Sequence, residues 1–352
     1  MVCFDRLSTG LSSPTELRDL YKIGVYMFGK KMIGFAAVAA LVGGLAIETF
    51  ATNVACVGNS ITEGYGIDWG EKKYPDHLQE LLQPGDSAAN FGTSGKMFYK
   101  ESGESYWVQG KIKEALAFPA DIVVIELGTN DSKLFYYTYY NVTVDMLKPS
   151  YEDLLDTFAH LPTHPEIYAT LQPYSNNESW GIMDSTIVKY INPLIKETAI
   201  EKGVNIIDLH SLFQTPEWFL DDSVHPNATG AQELAKIVNK YITLAKPTLK
   251  QEQATLQVNG DSYGVRWYKD GKLIEGAADK PLALTETGTY RALVKVESDN
   301  DSWILSEEFE VKDLSSDPTG IKPTRQTSQP KTRKLHHKVD VKGRVVDGKK
   351  SY

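Results

Sequence analysis

The chain has 352 residues, of which 41% are hydrophobic, 24% charged and 11% aromatic, a mix that excludes a wholly disordered, collagen-like or multispanning protein. Its formal net charge of −9 argues against nucleic acid as a partner. That charge is uneven: residues from Thr319 onward hold ten Lys/Arg and two Asp/Glu, and the rest holds 27 basic and 44 acidic residues. Two cysteines, Cys3 and Cys56, allow one disulfide at most and no cysteine metal site.

Near the start, Lys30-Lys31 precede the apolar run Met32 to Ile47, followed by Glu48-Thr49-Phe50-Ala51. A basic start, a short apolar stretch and a small residue at a cut site predict a secretory signal peptide within residues 1–51, with its apolar region at 32–47. The run is short for a membrane span. An exported protein with no stable membrane insertion after processing is expected.

From Asn53 the pattern alternates. Asn53 to Val57 is a short apolar run closed by Gly58, a buried strand, and Tyr74 to Leu82 reads as a helix with Leu78, Leu81 and Leu82 on one face. Ala88 to Phe91 is a short strand stopped by Gly92, and Lys111 to Ala117 is helical. Asp121 to Leu127 is a β-branched buried strand ending at Gly128. Then follow a helix over Tyr151 to Leu161, a strand over Glu166 to Leu171, a helix over Ile187 to Glu201, a strand over Val204 to Leu209 and a helix over Ala228 to Leu244. Alternation of this kind over residues 52–246 predicts an α/β domain, a parallel sheet covered by helices on both faces.

Pro247 marks a change to short alternating stretches: Ala254 to Val258, Val265 to Tyr268, a turn at Lys269-Asp270-Gly271-Lys272, Tyr290 to Val296, and Glu308 to Val311. Asp-Gly between two strands signals a hairpin. Trp267 followed by Thr287-Gly288-Thr289-Tyr290 resembles the core Trp and tyrosine corner of an immunoglobulin-like β-sandwich, here without the cysteine pair, over 247–313. Residues 314–352 read as a basic linker and tail. Pro318 to Ile321 and Val341 to Val346 resemble the sorting tails of secreted Bacteroidetes proteins.

Strand ends of an open parallel sheet are where sites form. Three of them carry Gly58-Asn59-Ser60-Ile61-Thr62-Glu63-Gly64, Asn90-Phe91-Gly92-Thr93-Ser94-Gly95 and Gly128-Thr129-Asn130-Asp131; a fourth segment, Asp222-Ser223-Val224-His225, precedes the last helix. Singly, each has a plain structural reading: a helix cap, a turn former, a surface histidine. Together they supply a nucleophile, a base, a group to orient the base and donors for an oxyanion.

These four segments resemble, in order, the four blocks of the SGNH, or GDSL-like, esterase family, with Asn59 where many members carry Asp. The resemblance implies a three-layer α/β/α flavodoxin-like fold and ester hydrolysis. It assigns Ser60 as nucleophile, His225 as general base and acid, Asp222 as its partner, and the N–H groups of Ser60 and Gly92 with the Asn130 amide as the oxyanion hole. No cofactor and no metal are expected. Asp131, Asp208 and His210 read as structural, and Lys133 as either a substrate contact or a solvated lysine.

Tyr74-Pro75, Ser105-Tyr106-Trp107 and Gly128 to Lys133 resemble the carbohydrate acetylesterase branch, which includes sialate O-acetylesterase-like and acetylxylan esterase-like proteins. The expected substrate is therefore an acetylated carbohydrate or other small ester. The alternatives are a generalist or lipid-directed acyl esterase and a non-catalytic glycan-binding protein. The tyrosines of Leu134 to Tyr140 suit either stacking on sugar rings or packing a loop. The sandwich suits polysaccharide binding, spacing or capping. Because all four segments precede Pro247, a chain ending near Lys246 is expected to keep the site.

Overall fold

The computed structural model describes residues 51–314; the signal-peptide and tail expectations fall outside them. Among the described residues no helix is long and apolar enough to cross a membrane.

Five parallel strands form the α/β part: β1 (Asn53–Gly58), β2 (Ser87–Gly92), β3 (Ile122–Glu126), β4 (Glu166–Leu171) and β5 (Asn205–Asp208), in spatial order β2-β1-β3-β4-β5. This is the flavodoxin-like order, whose switch point lies between β1 and β3. Successive side chains of a strand point to opposite faces. Val54 and Cys56 accordingly pack with Leu78 of α2 (Tyr74–Leu81) and with Leu234 and Val238 of α6 (Ala228–Ile242), while α1 is the single turn Ser60–Glu63. Ala55 and Val57 face the other layer, built by α3 (Gly110–Ala117), α4 (Val144–Ala159) and α5 (Asn192–Lys202) through Ile112, Leu154 and Ile195. Burial of Cys56 between strand neighbours pushes its thiol up to about 12, so it is an inert core residue.

Two helices differ from the sequence expectation. The helix expected over Tyr151 to Leu161 begins at Val144 and carries Pro149 inside it. Burial of Leu147 at its first turn outweighs the lost N–H bond of the proline. The run Ile187 to Glu201 opens into a π turn over Ile187–Ile191 just before Pro193.

The larger departure concerns the C-terminal strands. β6 (Leu249–Glu252), β7 (Thr255–Val258) and β10 (Leu282–Ala283) form one sheet, in order β10-β7-β6. β8 (Gly264–Lys269), β9 (Lys272–Ala278), β11 (Gly288–Lys295), β12 (Trp303–Leu305) and β13 (Phe309–Val311) form the other. Leu256, Trp267, Leu282, Tyr290 and Val294 fill the space between them. The second sheet does not stand apart. β12 pairs antiparallel with β5 through Trp303 and Ile206, so one mixed ten-stranded sheet runs across both parts. The five α/β strands are parallel, as expected, and the antiparallel strands continue their sheet beyond β5.

The seam combines buried polar contacts with apolar packing. Asn205 Oδ1 accepts from Leu305 N at 2.8 Å, Ser302 Oγ from Asp208 N at 3.0 Å, and Asp208 Oδ2 from Asp301 N at 2.8 Å. Tyr268, Leu293 and Trp303 join the core of the α3–α4–α5 face, and Val296 and Ile304 that of the α2–α6 face. β5 would otherwise be a bare edge, an invitation to aggregate. Trp303→Ala is expected to cost about 3–5 kcal/mol, read from urea unfolding. A chain ending at Lys246 is expected to aggregate rather than keep a folded site, read by gel filtration and near-UV circular dichroism.

Candidate active site

Ser60 starts α1 directly after β1. The turn is held from three sides. Asn59 caps it by accepting from Ile61 N at 2.8 Å. The same side chain donates to Glu126 Oε1 at 3.2 Å, and Thr62 Oγ1 donates to Glu126 Oε2 at 3.1 Å. Glycines make the fit possible: a Cβ on Gly58 would lie 2.0 Å from Thr62 Oγ1, and one on Gly92 2.2 Å from Glu63 N.

The Ser60, His225 and Asp222 side chains form one hydrogen-bonded chain. Ser60 Oγ lies 2.8 Å from His225 Nε2, and His225 Nδ1 lies 2.8 Å from Asp222 Oδ2. Asp222 Oδ1 accepts from the Val224 and His225 N–H groups, both at 2.9 Å. Burial raises the Asp222 carboxyl, but these hydrogen bonds from His225 and Val224 outweigh it and hold it below the usual range. An ionised carboxylate only accepts, so Nδ1 carries the ring proton and Nε2 accepts from the Ser60 hydroxyl.

Asn130 follows β3 and is buried; its Nδ2 donates to Lys96 O at 3.1 Å. The Gly92 N–H, expected to face an oxyanion, instead donates to Asn90 Oδ1 at 2.9 Å. Gly92 is required by its close approach to α1, and the sequence assignment of its N–H is corrected. Three residues on, Gly95 sits at φ +77°, and its N–H has no hydrogen-bond acceptor among the described residues. Ser94 before it donates through N, at 2.8 Å, and through its hydroxyl to Glu63 Oε2. Lys96 after it receives the Asn130 amide. Both neighbours of Gly95 are thus tied down, one to Glu63 of the turn that carries Ser60 and the other to the Asn130 amide.

The remaining candidates divide. Asp131 accepts from Phe98 N at 3.2 Å and Tyr99 N at 3.1 Å, tying the Gly95 loop to the end of β3. Asp208 caps Leu209–Leu212 and serves the seam. His210 bonds Asp184 at 3.1 Å, and that bond raises it above its ordinary value. Lys133 is lowered by burial, against the pull of Glu104 and Asp131. Tyr136 of the aromatic run is buried against Ser102 Oγ at 3.0 Å, whereas Phe135, Tyr139 and Tyr140 are exposed. Among the described residues no group of His, Cys, Asp and Glu is arranged to hold a metal.

Sequence reasoning missed Glu126 and Glu63. The clue for Glu126 was present: a lone carboxylate in a strand covered on both faces must be paired or protonated. Burial pushes Glu126, against the bonds from Thr62 and Asn59, up to about 8, and does the same to Asp131. Burial therefore favours the protonated form of both carboxyls in the folded chain relative to the unfolded one. Their contribution is full below about 4.5 and is lost as pH rises towards about 8. Glu126→Gln retains an acceptor for Asn59 but puts a donor where Thr62 Oγ1 now donates, so the Thr62 hydroxyl must turn to accept. It is expected to flatten the fall of Tm across that window, followed by thermal melts from pH 4.5 to 8.

Residues 56–233 match the GDSL-like Lipase/Acylhydrolase family. An acetylxylan esterase of Xylanibacter ruminicola is 37% identical over 203 residues, which cover 53% of this chain and 42% of that protein; the chain thus spans less than half the length of this relative. Similar solved structures include a carbohydrate acetylesterase from Sinorhizobium meliloti, at TM-score 0.45 and 16% identity over 55% of this chain and 98% of that one. The M. smegmatis aryl esterase compares at TM-score 0.45 and 17% identity, over the same shares of the two chains.

Proposed function

We propose that this chain, which belongs to the GDSL-like lipase/acylhydrolase family, hydrolyses O-acetyl esters of carbohydrates through a serine acyl-enzyme. The observation that carries the reading is the hydrogen-bonded chain Ser60–His225–Asp222 at 2.8 Å per link. The 37% identity to an acetylxylan esterase supports the acyl group and the substrate class.

In this mechanism His225 Nε2 takes the Ser60 proton as Oγ attacks the ester carbonyl. Asp222 holds the Nδ1–H tautomer and stabilises the imidazolium. The oxyanion is met by the Ser60 N–H, the Gly95 N–H and the Asn130 Nδ2 group, whose second hydrogen is free when the first is given to Lys96 O. His225 returns the proton to the leaving alkoxide, which departs as the sugar hydroxyl. Water, activated by the same imidazole, then releases acetate.

The C-terminal strands are read here as an immunoglobulin-like module. Buried Trp267 lies on the third of them, and the Tyr290 hydroxyl donates to Glu286 O at 2.8 Å, four residues upstream. Export by way of the Met32–Ile47 segment belongs to the same proposal.

Ser60→Ala is expected to lower kcat at least about a thousandfold while leaving Tm in place, and Asn130→Ala to lower it about 10²- to 10³-fold. Both are read by acetate release from acetylated xylo-oligosaccharides. Across aryl esters, kcat/KM is expected to fall from acetyl to butyryl to octanoyl; an octanoyl optimum overturns the acetyl reading.

A further inference from the structure

Two large aromatic side chains stand exposed at the catalytic histidine. Tyr65 and Trp180 are 50% and 38% exposed, yet both contact the buried imidazole of His225. The Tyr65 ring centroid is 4.5 Å from that of His225 at an interplanar angle of 40°, and the Trp180 centroid is 5.5 Å away at 65°. The two rings also meet each other edge to face, at 6.3 Å and 89°. An aromatic wall therefore flanks the base, with part of each ring turned to solvent.

The wall is built rather than draped. Tyr65 follows Gly64, whose φ of +88° ends α1, and its N–H donates to Ser60 O at 2.9 Å. Trp180 belongs to a segment stitched to the loop that supplies Asp222. Asn176 N donates to Ser223 O at 3.0 Å, Asn177 Nδ2 to Asp222 O at 3.1 Å, and Trp180 N to Asn177 Oδ1 at 3.1 Å. The far side is fixed too, because Leu134 N donates to Gly181 O at 2.8 Å. A Cβ on Gly181 would lie 3.7 Å from Phe135 Cδ1, so the exposed Phe135 sits against the residue after Trp180.

Exposed aromatic surface held in place beside a nucleophile marks a ligand contact. Its chemistry suits a sugar better than an acyl chain. An acyl chain asks for an enclosed apolar trough, whereas here the rings are open to water and Trp180 is preceded by exposed Glu178 and Ser179. A pyranose has an apolar C–H face to lay on a ring and a rim of hydroxyls for polar neighbours. We infer that Tyr65 and Trp180 form a sugar-stacking subsite that holds the pyranose carrying the scissile acetyl group against His225. This subsite rests on the carbohydrate-ester reading above.

The test compares acetylated xylo-oligosaccharides with 4-nitrophenyl acetate, which has no pyranose to stack. For Trp180→Ala and Tyr65→Ala, the ratio of kcat/KM on the oligosaccharide to that on the aryl ester is expected to fall about three- to tenfold. The loss should appear chiefly as a higher KM on the oligosaccharide, and Trp180→Phe should recover part of it. Deacetylated xylo-oligosaccharide should inhibit aryl ester hydrolysis competitively, with a correspondingly higher inhibition constant in Trp180→Ala. Equal losses on both substrates would show that the rings only orient the imidazole, and no loss on either would show that they contact no sugar; either overturns the subsite while leaving the esterase assignment standing. A wild-type chain that cleaves aryl acetate but no acetylated glycan overturns the subsite and the carbohydrate reading together.

Discussion

The turn after β1 is anchored on Glu126, at the end of the neighbouring strand β3, which binds it from beneath. One carboxyl oxygen takes the Asn59 amide and the other the Thr62 hydroxyl. Ser60 lies between these two anchors and has little freedom to move. Burial there favours the protonated carboxyl and so lessens the uncompensated charge under Ser60. Asn59 fits this arrangement. A second carboxylate facing Glu126 across a hydrogen-bond distance would set two acids against each other.

The same economy recurs around the site. Each loop that brings a reacting group is tied to its neighbour by a side chain that does not itself react. Glu63 holds Ser94, Asp131 holds Phe98 and Tyr99, and Asn177 holds the Asp222 loop. The switch point of the sheet supplies the crevice, since β1 and β3 send their following loops to opposite sides. Fixing donors before substrate arrives is what makes an oxyanion hole effective, because no reorganisation is left to do in the transition state.

The β-module solves a separate problem. Parallel sheets are covered on both faces, but their outer strands remain open. At β5 the edge is closed by β12 and by the packing of Tyr268, Leu293 and Trp303 into the α/β core. The change of composition at Pro247 is real, yet it marks a change of architecture rather than an end to shared packing. Asp208 shows the coupling in one residue: it caps the helix turn after β5 and accepts from the backbone of Asp301.

The α/β alternation, the Ser60, Asn130 and Asp222–His225 segments and the change to short strands after Pro247 were legible from the chain, because buried strands, strand-end loops and turn residues leave local signatures in residue type and spacing. Very short strands such as β6 and β12 leave little, since their partners rather than their own sequences make them strands. Which N–H of the Asn90–Gly95 loop is free depended on the Asn90 side chain folding back onto Gly92, a contact that spacing does not encode. The pairing of Glu126 with Asn59 and Thr62, the meeting of Tyr65 and Trp180 at His225, and the joining of β12 to β5 link positions far apart in the chain. Long-range packing alone brings them together, and so only the tertiary structure decided them.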